Sequence, residues 1–229
     1  MNKSVIIIPS RLEAKRLPNK PLLKINNIPM IIHAMERARE SKIGDVIVAT
    51  PDQKILDLVE QKSGKAILTS KDHFTGTDRV YEALEKISDD SINIIINLQG
   101  DMPNLDPNNI KNLDYLMRKN KCHIATLASK IQNAEELQNT NIVKVETFEN
   151  LDNSNFIKAK DFYRKTVNTN KENIYHHIGI YAFSKNTLSR FVKLSRTKNE
   201  IERKLEQMRA LDNNIEIRVA LSKSFPLGI

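Results

Sequence analysis

Arg11, Lys15, Arg16 and Lys20 place four cations within ten positions, directly after the apolar run Val5-Ile6-Ile7-Ile8 and Pro9. Arg presents a rigid fork to phosphate oxygens and Lys a mobile point charge. A short β-branched run reads as a buried strand. In open α/β sheets ligands bind beyond the carboxyl ends of the strands. The loop holds neither G-x-x-x-x-G-K-[ST] nor G-x-G-x-x-G, so polyphosphate binding there would rest on side-chain cations, not on a cradle of backbone N–H groups. A solvated basic loop accounts for the same four residues equally well.

Four further constellations could carry chemistry. Asp101 follows the run Asn93–Leu98 in Asn97-Leu98-Gln99-Gly100-Asp101; a carboxylate there suits Mg²⁺, which takes one or two carboxylates beside phosphate oxygens and water. It suits a cap for a helix starting near Pro107 as well. His73-Phe74-Thr75-Gly76-Thr77-Asp78-Arg79 enters a helix whose free N–H groups could meet an anion or a carbonyl edge, or could simply be capped. His176 and His177 are adjacent, so on a strand they point to opposite faces and cannot chelate together. Glu206 and Arg209, in Leu205-Glu206-Gln207-Met208-Arg209, lie on one face of a helix predicted over Glu200–Leu211; an exposed ion pair or a ligand contact fits that spacing.

The elements that must position these residues alternate between strand and helix, which predicts an α/β fold with a mostly parallel sheet. Strands are expected at Lys3–Ile8, Asp45–Ala49, Lys65–Leu68, Asn93–Leu98, Ile124–Lys130, Asn141–Thr147, Ile178–Phe183 and Glu216–Ala220. Helices are expected at Pro29–Ser41, Pro51–Ser63, Thr77–Ser88 (with Thr77 as N-cap), Pro107–Lys119, Asn186–Leu194 and Glu200–Leu211. Beyond residue 122 the pattern turns more β-rich and less regular, and the polar stretch Asp161–Glu172 reads as an excursion from the fold. One domain over residues 1–229 is expected, with a regular half to residue 121 and a less regular half from 122.

Composition narrows the function classes. The 229 residues carry a net charge of +8, which favours anionic partners. There is no Trp, and Tyr and Phe are few, so a stacking platform for nucleic acid is not expected. No apolar run approaches the roughly 20 residues of a membrane span, so no membrane partner is expected. The lone Cys122 gives no disulfide and fits a reducing cytoplasm; its place between a helix and a strand reads as a structural thiol.

Taken together, "PSRLEAKRLPNKPL", "PMIIHAMERARES", "VIVAT", "HFTGTDRV", "NLQGDMP", "HHIGIYAFS" and "LEQMRAL" resemble the CMP-Kdo synthetases (3-deoxy-manno-octulosonate cytidylyltransferases) from about residue 4 to the last residue. The resemblance implies a Rossmann-like three-layer nucleotidyltransferase, cytoplasmic and homodimeric through its second half. It implies CTP, Mg²⁺ and the 2-keto-3-deoxy sugar acid Kdo as reactants and cofactor. Arg11, Arg16 and Lys20 would hold the triphosphate, and Asp101 the metal. Thr75, Gly76, Thr77 and Arg79 would contact the cytidine, and Gln99 the nucleotide or sugar. Lys158, His177, Tyr181, Glu206 and Gln207 would line the sugar pocket.

The chain departs from the family pattern in several places. Ala14 stands where Ser is usual, Asn19 where Gly is usual and Lys158 where Arg is usual, and the family's Ile-Pro after that position is missing. Lys for Arg gives up bidentate grip on a carboxylate, which keeps another octulosonic or nonulosonic acid in play. The family pattern continues past Pro-x-Gly-Ile into an Asp that serves as a second metal carboxylate; the 229 residues end at Phe225-Pro226-Leu227-Gly228-Ile229. Weak Mg²⁺ binding is therefore expected of this stretch. A catalytically impaired nucleotide-binding relative is the alternative these departures suggest.

Overall fold

The apolar run after Lys3 is buried on both sides. Ile6 and Ile8 face one core and Val5 and Ile7 the other, because successive strand residues point to opposite faces. The computed structural model describes residues 3–13, 17–152, 156–165 and 172–222. In chain order its elements are β1 (Lys3–Pro9), β2 (Lys24–Ile25), β3 (Ile28–Pro29), α1 (Met30–Glu40), β4 (Gly44–Thr50), α2 (Gln53–Gln61), β5 (Lys65–Leu68), α3 (Gly76–Ile87), β6 (Ile92–Asn97), α4 (Pro107–Asn120), β7 (Ile124–Lys130), α5 (Ala134–Gln138), β8 (Lys144–Thr147), β9 (Ile157–Tyr163), β10 (Ile174–Ser184), α6 (Lys185–Val192), α7 (Lys198–Arg203), α8 (Met208–Asp212) and β11 (Ile217–Leu221).

Nine strands form one mixed sheet in the order β5-β4-β1-β6-β10-β7-β11-β9-β8. The pairs β4–β5, β1–β4, β1–β6 and β7–β11 are parallel. Every pair made by β10, and both pairs made by β9, are antiparallel. The sheet is mixed but not mostly parallel as expected: among the described residues four of its nine strand pairs are parallel, three in the β5-β4-β1-β6 block and one between β7 and β11. The core with Ile6 and Ile8 takes its helical side chains from α1, α2 and α4, and the core with Val5 and Ile7 takes them from α3, α6 and α8. Gly44 is required where β4 meets β1, since a Cβ there would lie 2.0 Å from Ser4 O.

Three expectations are corrected. Helix α3 is capped by Thr75, not Thr77: Asp78 N donates to Thr75 Oγ1 at 3.2 Å and Thr75 N to Asp78 Oδ2 at 3.1 Å, a reciprocal capping box. The single helix expected over Glu200–Leu211 is two short ones, broken at Lys204, whose φ of 55° is left-handed. Glu206 lies in that break, off the helical face it was expected to share with Arg209. Residues 161–163, placed in the polar excursion, complete β9, with Phe162 buried on Val145 of β8 and against His177; its single buried aromatic outweighs the polar neighbours. Cys122 is half-buried in the turn from α4 to β7, and burial pushes its thiol up, as a structural thiol requires.

Candidate active site

The carboxyl ends of β1 and β6 adjoin in the middle of the sheet, and the cationic loop leaves from β1. Its path is held at both ends: Leu12 N donates to Asp52 Oδ2 at 2.8 Å, and Asn19 N to Leu12 O at 3.1 Å. Asn19 turns the chain with φ 56°, ψ 21°, the left-handed region in which Gly and Asn are tolerated best. The turn delivers Lys20 to Asp101, Nζ to Oδ2 at 2.7 Å. The cap of α4 is Asp106, which accepts from Asn108 N at 2.9 Å. Asp101 is thereby free of the capping role that the sequence left open.

Arg11 is exposed and close enough to Arg79 for its charge to lower the Arg79 pKa, after the larger effect of burial. Two guanidinium groups held together favour an anion between them. Arg79 is buried, however, and its guanidinium is turned to Thr69 Oγ1 and, at 2.8 Å, to Ser70 O. Its observed role is to pin the loop after β5 beneath the start of α3. Arg16 lies outside the described residues, as do Lys15 and Ala14.

Gln99 is the meeting point of several predicted residues. A Cβ built on Gly76 would sit 3.8 Å from Gln99 Oε1, and one on Gly179 would sit 3.9 Å from Gln99 Cγ. Gln99 Nε2 donates to Asn97 Oδ1 at 2.9 Å, and Asn97 Nδ2 donates to Thr77 Oγ1 at 3.0 Å. Asn97, the last residue of β6, pairs with Tyr181 of β10. That pairing brings the His177 region to the carboxyl end of β6, beside Gln99.

Tyr181, Thr77, Glu206 and Gln207 line one cavity of about 20 Å³ with the apolar wall of Ile124, Phe183, Phe191, Ala210 and Ile217. That volume admits about one water. Tyr181 OH and Glu206 Oε1 are buried and have no hydrogen-bond partner among the described residues. Burial pushes the Glu206 carboxyl up to about 7, against the pull of the Thr77 and Thr75 hydroxyls and of Arg209, with Asp78 adding to the rise. Burial, and then the Glu206 charge, push the Tyr181 phenol well above its ordinary value. Buried polar atoms without partners are rare, and one water in this cavity would meet both. His177 stands edge-on to Phe162 with ring centroids 5.2 Å apart and lies 5.4 Å from the Tyr181 ring. Burial, and then the neighbouring His176, hold its pKa down to about 3, so it is neutral at neutral pH. His176 points to the other face and binds Glu136 Oε1 at 2.5 Å, as strand alternation requires.

Lys158 is the predicted residue that the structure leaves apart. Its Nζ lies 3.6 Å from Glu216 Oε2 and 5.9 Å from the Phe148 ring centroid, and none of these partners belongs to the His177 cluster. The sequence reading also missed Asp52, Asn97, Thr126 and Glu200, which hold site residues from behind. Glu200 binds Arg209 through two bonds of 2.8 Å, both side chains being almost wholly buried. Arg209 Nη1 also lies 3.7 Å from Asp78 Oδ1, tying the Glu206 turn to the cap of α3. Only the E-x-x-R spacing hinted at a charged role for Arg209, and it named the wrong partner.

The cytidylyltransferase family model matches residues 5–217. The 3-deoxy-manno-octulosonate cytidylyltransferase of Paramagnetospirillum magneticum is 40% identical over 226 residues, covering 98% of this chain and 92% of its own. The chain belongs to the 3-deoxy-manno-octulosonate cytidylyltransferase family. The Brucella canis member is also 40% identical, over 99% of this chain and 90% of its own. A solved structure of CMP:2-keto-3-deoxy-manno-octonic acid synthetase complexed with CTP superposes with a TM-score of 0.88 at 35% identity, covering 99% of this chain and 92% of that one. Among the residues of this family member, Asp101 supplies the hard carboxylate oxygen that Mg²⁺ selects, beside a cationic loop suited to phosphates; that donor set fits the metal. No group of three or more acidic, His or Cys side chains placed to hold a metal ion occurs among the described residues, so the remaining donors would be phosphate and water.

Proposed function

We propose that the protein transfers CMP from CTP to the anomeric hydroxyl of Kdo, releasing pyrophosphate. The family membership supports this reading, and the observation that carries it is the junction of Lys20, Asp101 and Gln99 with the half-open Glu206–Tyr181 cavity across the Asn97–Tyr181 pair. The anomeric oxygen bonds to the α-phosphorus as the bond to the β-phosphate oxygen breaks, and the hydroxyl proton is released. Such a transfer asks mainly for positioning and charge stabilisation.

On this reading Arg11, Arg16 and Lys20 bind the triphosphate and follow its charge onto the leaving pyrophosphate. Thr75, Gly76 and Thr77 form the nucleotide edge, with Arg79 holding the loop behind them. Gln99 lies between nucleotide and sugar. His177, Tyr181, Glu206 and Gln207 receive the sugar acid, and Lys158 would leave Glu216 to meet its carboxylate. Mg²⁺, held by Asp101, would neutralise phosphate charge and make the attacking hydroxyl more acidic. The architecture is read as a Rossmann-like three-layer nucleotidyltransferase. It would work in the cytoplasm as a homodimer; no helix of the described residues is long and apolar enough to cross a membrane.

The test is pyrophosphate release from CTP and Mg²⁺ with and without Kdo. Kdo-dependent release is expected; release that ignores Kdo, or none, overturns the assignment. The Lys158–Glu216 pairing favours one second reading, transfer to another 2-keto-3-deoxy sugar acid, which the same assay distinguishes when that acid outcompetes Kdo.

A further inference from the structure

Thr126 sits fully buried in the middle of β7. Opposite it β10 slips register: Ile178 pairs with Leu127, and the next pair is Tyr181 with Thr126. Gly179 and Ile180 form the resulting bulge, which aims two carbonyls at one hydroxyl. Ile180 O lies 2.7 Å and Ile178 O 3.2 Å from Thr126 Oγ1. His177 Nε2 reaches the same Oγ1 at 3.0 Å.

A hydroxyl has one proton to donate and two lone pairs to accept with, whereas a carbonyl oxygen only accepts. Two oxygens approach to 2.7 Å when a proton lies between them. The Thr126 proton therefore points to Ile180 O, and His177 Nε2 must be the donor in its own contact with Thr126. The ring is neutral and holds a single N–H, so that proton is on Nε2 and Nδ1 keeps a lone pair. Among the described residues Nδ1 meets no hydrogen-bond donor.

We propose that Thr126 is a positioning residue that fixes His177 in its Nε2–H tautomer, so that Nδ1 is presented as an acceptor to a hydroxyl of the sugar acid. The second half of this proposal rests on the sugar-pocket reading above. It makes His177 a reader of a sugar O–H and leaves it no part as a proton carrier. A second-layer partner that selects the tautomer of a functional His is a recurring device. Here a backbone bulge, through one threonine, does the selecting.

The test combines ring ¹⁵N NMR on His-labelled protein with kinetics. The wild-type His177 signals, assigned by their loss in His177→Phe, are expected to show a protonated Nε2 and a bare Nδ1. Thr126→Val strips the acceptor from Nε2–H, and the ring signals should shift toward the Nδ1–H form. KM for Kdo should then rise about tenfold, the worth of one hydrogen bond, while KM for CTP stays within about twofold of wild type. Thr126→Ser keeps the hydroxyl and should restore both readouts. A wild-type ring protonated on Nδ1, or wild-type ring signals in Thr126→Val, overturns the tautomer assignment. The expected ring shift with KM for Kdo unmoved in both Thr126→Val and His177→Phe overturns the sugar reading instead.

Discussion

Gln99 and Asn97 are joined by a 2.9 Å bond from Nε2 to Oδ1, and Asn97 hands the same donor sense on to the Thr77 hydroxyl at 3.0 Å. Thr77 in turn pulls the Glu206 carboxyl toward its ionised form. One line of side chains thus runs from Gln99 to the buried Glu206 carboxyl. Asn97→Ala should free the Gln99 amide and leave the buried Thr77 hydroxyl short of a donor. We expect kcat/KM to fall about tenfold and stability to drop by about 1–3 kcal/mol, read by pyrophosphate release and thermal melting.

Glu206 gives a pH signature of known sign. The folded carboxyl titrates at about 7 against an ordinary value of 4.5. Between those values the folded state holds the extra proton, so Glu206 erodes stability as pH rises from 4.5 through 7, and the loss is complete above 7. Glu206→Gln keeps the shape without the charge. Relative to wild type, its ligand-free stability should be unchanged below pH 4.5 and higher by on the order of 3 kcal/mol above pH 7. Denaturant titrations at pH 4, 6 and 8 check this; a difference that shrinks with rising pH would contradict it.

The Glu200–Arg209 pair is nearly dry, at 1% and 2% side-chain exposure. Arg209 also lies over the Phe191 ring, 4.7 Å from its centroid. Arg209→Met leaves the buried Glu200 carboxylate only the half-exposed Arg196, whose Nε lies 2.9 Å away, so it should cost up to about 3 kcal/mol, whereas Glu200→Leu with Arg209→Met, which leaves Arg196 to solvent, should recover most of that loss. Equilibrium unfolding of the two variants decides it.

Asn19 tests the turn of the cationic loop. At φ 56°, Asn19→Gly should be nearly neutral, and Asn19→Ala should lose about 1 kcal/mol and weaken CTP binding as Lys20 shifts. Calorimetric titration of CTP into both variants separates them.

Asp101 pairs with Lys20 near the surface, and such pairs add less than about 1 kcal/mol to stability. Asp101→Asn should therefore melt close to wild type and lose about a hundredfold or more in turnover. Chelating Mg²⁺ should abolish wild-type turnover reversibly.

The sequence made the framework legible where apolar periodicity is strong: β1, β5, β7, α1 and α4 lie within two residues of expectation. Site residues at strand ends were legible for the same reason, since Asp101 and Gln99 directly follow an unmistakable strand. What stayed hidden has physical causes. The left-handed Lys204 breaks a helical pattern without Gly or Pro to announce it. Arg79 carries the composition of a surface cation, and only the fold shows it turned inward to Thr69 and Ser70. Thr126 and Asn97 act through partners distant in sequence, and no local spacing reports such a pairing.

The place of β10 bears on how this chain comes to exist at all. Its residues Tyr181–Ser184 close the open side of β6, and β6 (Ile92–Asn97) is among the most apolar stretches of the chain. During synthesis β6 leaves the ribosome long before β10 does, so for that interval the nascent protein carries a sticky, half-paired edge of the kind that seeds aggregation. Pairing at this edge is complete only once β10 has docked, so the strand order leaves it open for as long as the residues between the two strands take to be made.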